Sequence, residues 1–149
     1  MAHSLSMERT MEVRFSSSAQ VQGTWGLYVA ASAALVVCFS IAHVCEDFVY
    51  GVPAQFGFTT ASAAALTGTA YAVHVFFIAL AARNYAGGYV MNFIAGIFWA
   101  AAIVVEHGYD ILFASPYRAG FISTFFEIAT ILSALLLVLT SFLAWRSRR

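Results

Sequence analysis

The chain has 149 residues, 62% of them hydrophobic and only 9% charged, with seven arginines, no lysine and a formal net charge of zero. A soluble domain carries about 25% charged residues, so water is excluded as the medium around most of this chain. The absence of any basic surplus likewise excludes nucleic acid as a partner.

The first segment, residues 1–22, carries Arg9 and Arg14 and ends in a serine-rich stretch before Val21. It has no apolar core of its own, so it reads as a flexible or surface-lying tail rather than a cleaved signal peptide, and the first span acts as the anchor. A spanning helix needs roughly 20 mostly apolar residues. Four stretches qualify: Trp25 to about Phe48, Thr60 to Ala82, Tyr89 to Tyr109, and Phe121 to Trp145. The connections between them are short, which predicts antiparallel neighbours in one up-down-up-down bundle. The fold class is therefore an all-α membrane domain over residues 23–146, followed by a basic end at 147–149.

Arginine orients the bundle. Arg9, Arg14, Arg83, Arg146, Arg148 and Arg149 fall on one side of this layout and Arg118 alone on the other. The positive-inside bias then places both termini in the cytoplasm, in a cell (plasma) membrane protein. Tyr50, Tyr109 and Tyr117 fit an outer aromatic belt, and Trp25, Tyr85, Tyr89 and Trp145 an inner one.

Two stretches resemble each other: His43–Phe58, HVCEDFVYGVPAQFGF, and His107–Phe121, HGYDILFASPYRAGF. Each has a histidine, an acid three residues on (Glu46, Asp110), and then P-x-[QR]-x-G-F from Pro53 and Pro116. A duplicated helical hairpin explains the pattern, with the halves related by an axis along the membrane normal, so that His43 and His107 lie at equal depth.

These turns gather His43, Glu46, Asp47, Glu106, His107 and Asp110 into one layer on the outward side, with Glu127 approaching from the last span. Imidazole and carboxylate together suit Zn, Mn or Fe, and helical bundles build carboxylate metal sites from such groups on facing helices. The expected ligands are His43, Glu46, His107 and Asp110, with Glu46 and Asp110 also the charge partners of the histidines. The competing reading is that these acids sit at the water interface, where a charge costs little.

Glu127, flanked by aromatic and aliphatic residues about 9 Å along its helix, must face the bundle interior. It is either satisfied by Thr124, Thr130 or a neighbouring helix, or it receives and relays a proton. His74 continues a polar stripe with Thr67 and Tyr71 on the second span, and a hydroxyl partner in the core is the simpler expectation for it. Cys38 and Cys45 lie two turns apart on one helix, too far for a mutual disulfide, and read as small apolar filler.

Haem between His43 and His107 ranks below a metal or proton role. The small-residue track Gly88, Asn92, Gly96 and Ala100 on the third span reads as a packing seam rather than a cofactor slot. Such seams favour a homo-oligomer, or another membrane protein as partner, within the lipid bilayer. Function stays open between a His/carboxylate site facing outward, a non-catalytic accessory or scaffold subunit, and a proton-coupled small-molecule carrier.

Overall fold

A computed structural model describes the backbone of residues 2–113 and 118–148, and the side chains of residues 24–113 and 118–148. Every regular element among the described residues is helical: α1 (Ala2–Val49), α2 (Val52–Gln55), α3 (Thr60–Ala82), α4 (Ala86–Phe113) and α5 (Phe121–Arg146). Four stretches are long and apolar enough to span a membrane: Thr24–Val49 of α1, and all of α3, α4 and α5. The backbone of residues 2–23 is helical and runs straight into the first span, where the composition suggested a linker.

The breaks between helices have local causes. Gly51 adopts φ 70°, a left-handed conformation that stops α1, and Pro53 sits in the first turn of α2, where its missing N–H costs nothing. Gly57 at φ 78° turns the chain again, and the Thr59 side chain accepts from Ser62 N at 3.1 Å to cap α3. Asn84 holds the tight α3–α4 turn at φ 60°, its Oδ1 accepting from the Tyr89 hydroxyl at 2.8 Å.

The four long helices form a ring in the order α1, α3, α4, α5. Each touches its two ring neighbours, α1 and α4 also meet across the centre, and α3 and α5 make no contact among the described residues. At one end the apolar span of α1 begins beside the α3–α4 turn, with Gly26 against Asn84 and Ala81, while Arg148 bonds Asn84 O and lies 4.9 Å over the Tyr89 ring. At the other end Asp47 of α1, His107 of α4 and Arg118, just before α5, converge.

Lipid removes the hydrophobic drive between helices, so close packing of small residues must hold the ring. A Cβ at Gly96 would lie 2.8 Å from Val138 Cγ2, and one at Gly88 would lie 2.4 Å from Ala81 N. The small-residue track on α4 is thus a seam, with Gly88 against α3 and Gly96 against α5. Val29, Ala33, Val36, Ala134 and Leu137 fill the core opposite it. Cys38 and Cys45 are free and exposed. α3 is the least embedded member: 11% of its apolar window is buried, against 33% in each of the other three.

Candidate functional site

The last two turns of α1 carry His43 and Asp47 one turn apart, and these two side chains meet, His43 Nε2 lying 3.2 Å from Asp47 Oδ2. From α4, His107 Nε2 reaches the other oxygen, Asp47 Oδ1, at 3.4 Å, with Glu106 Oε2 3.7 Å from the same nitrogen. The two imidazole rings stand edge to face with centroids 4.9 Å apart. One ligand atom from each of His43, Asp47, Glu106 and His107 falls within 4.8 Å of every other, and all but Glu106 are buried.

Arg118 closes the cluster from the turn before α5. Its Nη1 donates to Asp47 Oδ1 at 2.5 Å, and its Nη2 lies 3.1 Å from His107 Nδ1. A guanidinium only donates, so Nδ1 accepts and the His107 proton sits on Nε2, directed at Asp47 and Glu106. Tyr50 packs under the same guanidinium at 5.7 Å. Deeper in the bundle, fully buried Glu127 places Oε1 3.9 Å from His43 Nδ1. Thr124 and Thr130, considered as its partners, give their hydroxyls to their own helix, at Gly120 O and Phe126 O.

The residues expected at the site divide. His43 and His107 are at its centre. Glu46 accepts instead from the Ser123 hydroxyl, which itself accepts from Ala119 N at 3.0 Å, so it ties α1 to the start of α5. Helical geometry explains the exchange of Glu46 for Asp47: a residue four positions on is rotated about 40° from His43, one three positions on about 60° the other way. The face of α1 that meets α4 is the one carrying Asp47. Asp110 is half-buried and lines a polar cleft of about 220 Å³ with Tyr50, Gln55, Glu106, His107 and Arg118.

His74 and Tyr71 belong to a separate layer. Tyr71 stacks on Trp99 at 5.2 Å, and Trp99 Nε1 donates to His74 Nδ1 at 3.2 Å, so an indole rather than a hydroxyl bonds one ring nitrogen of this buried histidine. Arg118 was not expected at the site, although its being the one arginine on that side of the layout is a signal that an acid there needs a partner. Pro116 and Tyr117, in the second copy of the repeat, lie outside the described residues.

Haem does not fit between the histidines. A metal–nitrogen bond is about 2 Å, which keeps the centroids of two axial imidazoles more than about 6 Å apart, whereas these rings touch. Two imidazoles and two carboxylates within a few ångström do match the donor set of a small divalent ion such as Zn, Mn or Fe. Compared with family models, curated proteins and solved structures, the chain matches none.

Proposed function

We propose that this is a multi-pass membrane protein that binds one divalent metal ion between His43 Nε2, His107 Nε2, Asp47 and Glu106. The observation that carries the reading is the convergence of four ligand atoms from two helices within 4.8 Å, in a layer where unpaired charges are costly. A second observation supports it. A metal-binding histidine usually gives its other N–H to a carboxylate, and Glu127 Oε1 lies 3.9 Å from His43 Nδ1, longer than a hydrogen bond but on the side where that partner would stand.

Loading has a built-in competitor. Were Nε2 of His107 to hold a metal, the ring proton would have to sit on Nδ1, which could then no longer accept from Arg118. Asp47 has a guanidinium as its counter-charge, and a dication held there would share that role. A bound ion would supply Lewis-acid polarisation, or activation of a water molecule, at the outward end of the bundle. Glu127 supports a second reading, in which the same histidines pass a proton inward from Asp47 through His43 to a buried acid.

For orientation we propose cytoplasmic termini and a site facing outward in the plasma membrane. Arg83, Arg146 and Arg148 lie at the end remote from the cluster, in accord with the positive-inside bias. The ring order, with α1 opposite α4 and α3 opposite α5, also accords with a duplicated hairpin. Titration of the purified, detergent-solubilised protein with Zn, Mn and Fe(II) tests the reading. One equivalent bound by the wild type and none by the His43→Ala, His107→Ala double variant supports it. A stable protein that binds no metal returns the chain to the scaffold class.

A further inference from the structure

The site is the polar end of a much larger apolar groove. A cavity of about 750 Å³ runs between α1, α3 and α4, walled by Leu66 and Ala70 of α3 and Phe98 and Ala102 of α4, and it ends at Asp47 and Glu106. Its rim faces the bilayer: Leu66 is 60% exposed and Phe98 58%. The weak embedding of α3 creates the opening, since this helix touches α1 and α4 without reaching α5. The polar cleft of about 220 Å³ adjoins the groove, and the two share Val52 and Phe56 of the α2 turn as a partition and Glu106 as common floor. A pocket of this size, apolar along its length with a few convergent polar groups at one end, has the build of a small-molecule site.

We propose that the site takes a lipid-soluble amphiphile that enters sideways from the bilayer, its apolar body in the groove and its polar head at Asp47 and Glu106. This deepens the metal-site reading and rests on it for the head group's surroundings. The charges select the head. Glu46, Asp47, Glu106 and Asp110 crowd this end of the bundle, and their four negative charges outnumber the three positive charges of Arg118, turned to Asp47, and a bound dication, so an anionic head is disfavoured. A hydroxyl or an amine donates to carboxylate oxygens, each of which keeps lone pairs beyond those used by a metal. The ligand class is therefore a long-chain or ring-bearing lipid with a hydrogen-bond-donating head, an alcohol or an amine, and not a fatty acid.

The test uses the full chain in proteoliposomes and three photoreactive probes of equal chain length, ending in an alcohol, an amine and a carboxylic acid. The alcohol or the amine, or both, are expected to label saturably, with adducts on the 63–70 and 98–105 segments, and the acid at least tenfold less. Which of the two labels more identifies the head. Ala70→Phe and Ala102→Phe, which plug the groove from opposite walls, are expected to reduce labelling about tenfold while retaining metal stoichiometry. Equal labelling by all three probes in the wild type overturns the proposal without need of any variant, as does labelling that persists in both plugged proteins. Selective labelling with no metal bound overturns the metal reading alone; metal bound with unselective labelling overturns the lipid proposal alone.

Discussion

His43 and His107 stand edge to face, centroids 4.9 Å apart, on helices that occupy opposite corners of the ring. Both turn Nε2 toward one carboxylate, Asp47, at 3.2 and 3.4 Å. A single acid therefore joins α1, α4 and, through Arg118, the start of α5.

Asp47→Asn is expected to destabilise the bundle by about 3–5 kcal/mol, because it leaves the guanidinium and two imidazoles facing a neutral amide in a buried site. Unfolding in mixed detergent measures the loss. Arg118→Gln placed on the Asp47→Asn background is expected to cost much less than Arg118→Gln alone. Equal costs on the two backgrounds would mean that the pair is not coupled.

The helix seams carry a second expectation. Gly96→Val inserts atoms where even a Cβ sits 2.8 Å from Val138, and is expected to cost about 1–3 kcal/mol. Gly68→Ala, in the middle of α3 with no neighbour within 4 Å, is expected to stabilise by about 0.5–1 kcal/mol. Thermal unfolding by circular dichroism distinguishes the two signs.

Trp99→Phe keeps the aromatic stack on Tyr71 and removes the donor to buried His74. The expected cost is about 1–3 kcal/mol from an unsatisfied ring nitrogen. Metal binding should be unchanged, because this layer lies apart from the cluster. Measuring stability and metal affinity on one preparation checks both statements.

How much of this was legible in the residues is clearest at His43 and His107. Their pairing follows from the repeat and from spans of similar length, and the four spans follow from composition because lipid tolerates little else. The acids were harder. The repeat emphasises Glu46 and Asp110, three residues after each histidine, whereas the facing helix selects Asp47, and Glu106 joins from just before His107. Which side of a helix meets its neighbour depends on its rotation, and an all-round apolar span carries almost no amphipathic signal to set it. Arg118 was legible as an exception to charge bias, but not as the clamp on Asp47, since that contact spans 71 residues of sequence. The groove left by α3 had no sequence signal at all.

Orientation can be read with cysteines. In a Cys38→Ser, Cys45→Ser background, which removes two exposed thiols, Gln55→Cys is expected to react with a membrane-impermeant maleimide added to intact cells. Arg83→Cys, at the opposite end and also exposed, is expected to react only after permeabilisation. The reverse pattern would place the cluster in the cytoplasm.

The most direct measurement is X-ray absorption on the protein loaded with one equivalent of zinc. The expected spectrum shows nitrogen and oxygen neighbours at about 2.0–2.2 Å with the multiple scattering of two imidazoles. That signal should fall to one imidazole in His43→Ala and stay at two in Glu46→Gln. Zinc without imidazole scattering, or a spectrum unchanged by His43→Ala, would show that the ion binds elsewhere and that the cluster around Asp47 is not a metal centre.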